Sequence, residues 1–346
     1  MALVVTEEVT AGHVAGGEVE SGTAIKIMTG APIPAGADAV VKVEDTEPGD
    51  GSVRVLVEVE PGTAIRPSGG DVVAGSLVLE EGERLGPAHL GVLASLGVAR
   101  PLVRQRPRVA FMSTGDEVQP PETPRLQPGQ IRDTNRPILA GLLTEFGAEV
   151  LDLGIVPDDA GLLLSALEKG AEEADAVVTS GGVSMGEYDL VKQVLVEQGH
   201  VEFWNVVMQP AKPFAFGFLG DTPLFGLPGN PVSVMVAFEQ FLRPALLHRM
   251  GSRRLFRPRV SGVLRGAVRT NPEKAVFLRV TAVFRDGDWE VDLSGGQESN
   301  VLTALARADA FAVVPVGVGG MEAGEEIELE MFRWPEIRTL EEALYG

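Results

Sequence analysis

Four short segments of this 346-residue chain carry glycine, acid and proline where a strand would hand over to a helix. They are Thr114-Gly115-Asp116-Glu117, Pro157-Asp158-Asp159, Ser180-Gly181-Gly182-Val183-Ser184 with Glu187 and Asp189 just beyond, and Leu227-Pro228-Gly229-Asn230-Pro231. Loops 180–184 and 227–231 offer backbone N–H groups near a helix start, an arrangement suited to phosphate or another anion. The acids bring carboxylates to the same place, and Mg²⁺ takes oxygen ligands while sharing itself with substrate phosphate. The pattern points to a nucleotide-like ligand with Mg²⁺. Each loop also has a plain reading. Gly and Asp are ordinary βα-turn residues, and Asp158 or Asn230 could simply cap the next helix. Lys212, in MQPAKPFAFG, is either a snorkelling side chain or a fixed anion contact. In GQIRDTNRP, Thr134 is favoured over Asp133 as an N-cap. His13, His89, His200 and His248 are scattered, and none falls into a catalytic arrangement with Ser and Asp.

The elements that would position these loops follow from periodicity. Residues 108–250 alternate strand and helix: RVAFMS (108–113), a helix over 135–147 closed by Gly147, EVLDLGIV (149–156), a helix from Asp158, DAVVTSGG (175–182) and a helix near 188–199. FWNVVMQP follows, then a KPFAFGFL/TPLFGL hairpin turned by Gly220-Asp221 and a long helix over 231–250. Such alternation calls for a mostly parallel sheet with helices on both faces, and ligands bind beyond the carboxyl ends of its strands. Residues 1–85 read as a small β domain, with strands in TAIKIM, DAVVKVE, SVRVLVEV and SLVLEEG. Residues 86–107 form a helical connecting segment, with Leu90, Leu93, Ala94 and Leu96 near one face. Residues 251–336 revert to strands, including a hairpin turned at Asp286-Gly287, and read as a β-barrel-like domain. Residues 337–346 are a tail. The fold class is multi-domain α/β.

Composition excludes several alternatives. There are 49 acids against 29 bases, a formal charge of −20 that disfavours nucleic acid or an anionic membrane surface as a general partner. Cysteine is absent, which removes disulfides, thiolate metal sites and cysteine nucleophiles. The start has no signal-peptide pattern and no window is long and apolar enough to span a membrane, so a cytoplasmic location is expected. Residues 251–270 carry six arginines and no acid, read as arginine-rich loops and strand faces at a domain junction.

STGDE, GQIRDTNRP, SGGVSMGEYD and the pair QPAKPFAFG and GLPGNPVS, in this order, resemble the molybdopterin molybdenumtransferase family, the MoeA type that includes the E domain of gephyrin. IKIMTGAPIPAGADAVV is similar to the family's β-domain segment. The resemblance covers nearly the whole chain, and GLPGNP with SGGVSMGEYD is its most specific part. It implies an enzyme of molybdenum cofactor biosynthesis that takes adenylylated molybdopterin and molybdate as substrates. Such an enzyme releases AMP with a divalent cation such as Mg²⁺ and leaves molybdenum on the dithiolene. It further implies a homodimer with a cleft between the α/β domain of one subunit and the β domain of the other, and other cofactor-biosynthesis proteins as partners. Carried onto this sequence, Glu117, Asp158 and Asp189 match acidic positions around the phosphates and metal, with Glu187 beside them, and Lys212 matches the second base of K-P-G-K-P. Ser180, Gly181, Gly182, Ser184, Pro228, Gly229, Asn230 and Pro231 fall in the substrate-binding loops. Thr29 and Asp71 match cleft-facing positions of the β domain, and Arg279 and Ser299 match positions of the C-terminal barrel. On this reading Asp189, Glu187 and Asp158 organise Mg²⁺ and water, and Lys212 holds the anion.

The sequence also departs from the family pattern. Gln209 stands where K-P-G-K-P has its first base, and Ala211 where it has glycine. The family's upstream helical segment and D-N-S-A-M-D-G-Y-A-like motif are not found, so the chain reads as opening inside the β domain. A non-catalytic, gephyrin-like scaffold is the alternative, and the acids at 117, 158 and 189 argue against it. An adenylyltransferase consisting of the α/β domain alone is disfavoured by the flanking β domains.

Overall fold

A computed structural model describes residues 1–182 and 200–336. The helix expected near 188–199, the 337–346 tail and the candidates Ser184, Glu187 and Asp189 lie outside the described residues. The chain divides into two compact units, Met1–Glu80 and Glu81–Gly346.

The first unit is built on a four-stranded sheet of β1 (Ala2–Val9), β2 (Thr23–Ile27), β3 (Thr46–Gly49) and β4 (Ser52–Val55), in the order β2-β1-β4-β3. It is a thin layer in which Val9 is only 2% exposed and most other side chains reach solvent. Two expected strands do not form. Within 38–44 the Val40 N–H donates to the Thr63 carbonyl, and Val43–Asp45 close a 3₁₀ turn. Within 76–82 the side chains find no core, Leu77 standing 78% exposed, and the segment runs as turns. Strand β1 itself was not among the expected runs.

The second unit begins with α1 (Pro87–Ser95), whose expected apolar face contributes no buried residue. Next come β5 (Arg108–Thr114), the short pair β6 (Val118–Gln119) and β7 (Ile131–Arg132), α2 (Asn135–Phe146), β8 (Glu149–Val156), α3 (Ala160–Glu173) and β9 (Ala176–Ser180). The chain continues through β10 (His200–Asn205), the short β11 (Met208–Gln209), which joins the C-terminal sheet instead, the hairpin β12 (Pro213–Leu219) and β13 (Thr222–Leu227), α4 (Pro231–Ala237) and α5 (Arg243–Arg249). The expected single helix over 231–250 is interrupted by a π turn at Phe238–Leu242. The main sheet runs β10-β12-β13-β9-β5-β8, with β13, β9, β5 and β8 mutually parallel. Strands β5 and β9 are buried on both faces, as a central parallel strand must be. Val109 and Phe111 pack with Leu139 and Leu143 of α2, whereas Ala110 and Met112 pack with Leu163 and Leu167 of α3.

The remaining strands are β14 (Arg259–Leu264), β15 (Val268–Arg269), β16 (Ala275–Arg285), β17 (Asp288–Leu293), β18 (Ala310–Val314), β19 (Gly320–Met321) and β20 (Glu326–Met331), with α6 (Leu302–Arg307) between β17 and β18. Order β16-β17-β14-β20-β18 closes because β18 also pairs with β16, giving a five-stranded barrel filled by Val280, Val291, Ala312 and Leu329. The arginine-rich stretch is largely consumed internally. Arg257 grips the buried Glu239 of the π turn at 2.7 and 2.8 Å, Arg259 pairs with Glu328 and Glu330, Arg265 with Glu290, and Arg269 with Glu322.

Candidate active site

Strand register brings four loops to one edge. Leu227 lies opposite Ser180, Ser180 opposite Ser113, and Thr114 opposite Val156, so β13, β9, β5 and β8 all finish together. Because β12 runs antiparallel to β13, its first residues start at that same edge, which puts Lys212 there as well, exposed. Among the described candidates, Glu117, Asp158, Ser180, Gly181, Gly182, Lys212 and Pro228–Pro231 therefore share one sheet edge. Thr29 and Asp71 belong to the other unit, and both are exposed.

Local geometry fixes the loops. Gly115, at φ +133°, leaves room for the Glu117 side chain: a Cβ built there would stand 2.5 Å from Glu117 Oε2. The Asp158 N–H donates to Asp116 Oδ1 at 3.0 Å, and the Asp116 N–H points back to Asp158 Oδ2 at 3.4 Å. Asp159, not Asp158, caps α3, accepting from the Leu162 N–H at 2.9 Å. Asp158 is thereby left outside the capping role. Gly181, at φ +96°, packs directly on Thr114, whose O and Oγ1 would lie 3.0 Å from a Cβ. The hydroxyls of Thr179 and Ser180 are buried and have no hydrogen-bond partner among the described residues. Asn230 precedes α4 with no side-chain cap. Asp133 caps α2 in place of Thr134, its Oδ1 accepting from the N–H groups of Asn135 and Arg136 at 3.1 Å.

A turn that follows β17 of the barrel reaches the start of α4. Arg279 is fully buried, and its Nη2 donates to the carbonyls of Gly296 at 2.8 Å and Glu298 at 3.2 Å. Burial pushes its guanidinium below the ordinary arginine value, and the nearby Glu298 charge offsets part of that. The next residue of that turn, Ser299, accepts from the Val232 N–H at 3.1 Å, which ties the barrel to the start of α4. The sequence places Asp116 among the loop acids without a role of its own, and Asn135 was not among the candidates. Asp116 sat beside Glu117 in the same motif, and only tertiary structure pairs it with Asp158.

Three family models match in succession: the MoeA N-terminal region (domain I and II) over residues 2–97, the probable molybdopterin binding domain over 110–248, and the MoeA C-terminal region (domain IV) over 261–332. Molybdopterin molybdenumtransferase 2 of Mycobacterium tuberculosis is 39% identical over 333 residues, covering 94% of this chain and 82% of that protein. The chain belongs to the molybdopterin molybdenumtransferase family. The Haemophilus influenzae member is also 39% identical, covering 91% of this chain and 78% of its own length. A solved molybdopterin biosynthesis MoeA protein from Pyrococcus horikoshii superposes with a TM-score of 0.79 at 30% identity, covering 96% of this chain and 81% of that one. The barrel and the parallel-sheet layer are thus those of a molybdopterin molybdenumtransferase, an enzyme family of molybdenum cofactor biosynthesis. Among the described residues, no helix is long and apolar enough to cross a membrane.

Proposed function

We propose that this chain transfers molybdenum into adenylylated molybdopterin, using molybdate as the metal source and releasing AMP with Mg²⁺. The observation that carries this reading is the convergence of two glycine-containing loops, a carboxylate pair and Lys212 on one strand edge. Gly181 and Gly182 with Pro228–Pro231 cradle the anionic groups, Ser180 supplies a buried hydroxyl without a partner among the described residues, and Lys212 holds the charge of the phosphate or molybdate.

The donor set suits Mg²⁺, which is held by one or two carboxylates plus water and substrate phosphate. Among the described residues no group of three or more metal-ligating side chains forms, but the coupled Asp116 and Asp158 supply two carboxylates. Asp158 and Asp116 would hold the ion together with Asp189 and Glu187, which lie outside the described residues. When bound, Mg²⁺ neutralises charge on the phosphoryl oxygens. Water adds to the adenylyl phosphorus, the bond to the molybdopterin phosphate breaks, and AMP leaves. Glu117 stands at the same edge to take the proton of that water. Arg279 acts here by fixing the Gly296–Ser299 turn beside α4, Thr29 and Asp71 are substrate-contacting residues of the first unit, and the enzyme is a cytoplasmic homodimer.

The test is AMP release from adenylylated molybdopterin, measured with and without molybdate and with and without EDTA. Turnover that requires both molybdate and the divalent cation is expected, as is its abolition by Asp189→Asn in a chain that still folds. Absence of AMP release even with molybdate and the divalent cation both present sinks the enzymatic reading.

A further inference from the structure

Asn135 opens α2 at the sheet edge and is 8% exposed. Its Nδ2 donates to the Gly229 carbonyl at 2.6 Å, across 94 residues of sequence. Its own position is fixed twice. The Asn135 N–H donates to Asp133 Oδ1 at 3.1 Å, and Asp133, 4% exposed, accepts the Ser113 hydroxyl at 3.0 Å from the end of β5. Arg136 closes the same knot with its N–H at 3.1 Å and Nη1 at 3.4 Å to Asp133. On the far side, Gly229 lies against Gly181, whose Cα would sit 3.8 Å from a Cβ at 229, and Gly181 rests on Thr114. The loops after β5, β9 and β13 are therefore stacked in layers, and Asn135 is a side-chain clamp on the outermost.

We infer that Asn135 is a positioning residue for the Leu227–Pro231 loop, acting through the Gly229 carbonyl. The inference rests on the reading that this loop binds substrate. A planar trans peptide sends its carbonyl and its N–H in opposite directions. Holding the Gly229 oxygen on Asn135 thus sets the direction of the Asn230 N–H and the entry angle of Pro231 into α4. Asn135→Asp keeps the size and shape of the side chain but replaces the donor with an oxygen that repels the carbonyl.

The experiment compares the wild-type chain with Asn135→Asp and with Asn135→Ala, which removes the donor without adding charge. Three quantities are read: the melting curve, kcat and KM for AMP release, and amide hydrogen exchange across 227–232. The expected result is a kcat loss of about a hundred-fold with KM changed little, as for a misplaced reacting group, alongside faster exchange confined to 227–232. Wild-type kcat in either folded variant, or loop exchange identical to wild type, overturns the inference. Should the wild type release no AMP, the functional reading fails, and the exchange measurement alone still decides whether Asn135 clamps the loop.

Discussion

Asp116 and Asp158, 42 residues apart, hold each other's backbone: each carboxylate faces the other's N–H, at 3.0 and 3.4 Å. The exchange fastens the loop after β5 to the loop after β8 and keeps two negative charges side by side at the mouth of the sheet. Asp158→Asn retains an oxygen acceptor but loses the charge. Its melting temperature is expected to stay near wild type while AMP release falls by about 10–100-fold, the scale of losses around metal sites. Asp158→Ala adds the loss of the hydrogen bond, about 1 kcal/mol. Parallel thermal melts and AMP assays separate the two effects, and an active Asp158→Asn would remove Asp158 from the metal set.

Gly115→Ala tests Glu117 without replacing it. The added methyl meets the Glu117 carboxylate, and the residue is held at φ +133°, where an L side chain is strained. Destabilisation of about 1–3 kcal/mol is expected by denaturant titration, with an activity loss comparable to that of Glu117→Gln.

Ala211 occupies the left-handed region at φ +69° and is 2% exposed. Ala211→Gly relieves about 1–2 kcal/mol of backbone strain but loses a buried methyl of about 0.8 kcal/mol and about 0.4–1 kcal/mol of unfolded-state entropy. These nearly cancel, so the glycine variant is expected to melt close to wild type. Ala211→Val, β-branched at positive φ, is expected to melt well below it.

Glu239 sits in the π turn at 5% exposure, gripped by Arg257 and approached by Arg243 at 3.9 Å. Glu239→Ala leaves a half-buried guanidinium without its partner and should cost about 3 kcal/mol. Arg257→Met combined with Glu239→Leu, which removes both charges, is expected to recover most of that in a chemical denaturation series.

Asp175 contributes to the acid limb of stability. The Arg108 N–H lowers its pKa, burial opposes, and the Arg249 side chain lowers it further. A carboxyl held below its unfolded value stabilises the fold above that value, and the contribution disappears as pH falls through the folded one. Asp175→Asn should therefore flatten the stability profile below about pH 4. The side chain is 41% exposed, so the effect at neutral pH is expected to stay under about 1 kcal/mol. A pH series of urea melts reads both.

The parallel layer was legible because β5 and β9 are short unbroken apolar runs, which only a doubly covered strand tolerates. The hairpins at Gly220-Asp221 and Asp286-Gly287 were legible from turn chemistry alone. Strand β1 was not, since Glu7 and Glu8 break its apolar pattern and its sheet is too thin to demand one. In 38–44 and 76–82 the β-branched composition was right and the environment was missing: without a partner strand and a core, propensity did not decide. Thr134 and Asp133 are both good caps, and the Ser113 hydroxyl, which sequence cannot place, selects Asp133. Asn135 and Gly229 meet only after four strands have been ordered.

Strand β11, only Met208–Gln209, pairs with the first residues of β16 and so lends the barrel's longest strand to the loop that carries Lys212. The sheet layer and the barrel consequently have no clean seam between them. Excising residues 108–250 as a freestanding module would strip that loop of its ladder partner, along with the carbonyl of Ser299 that anchors α4. Recombination between relatives should therefore succeed when these two parts are inherited together and fail when they are shuffled.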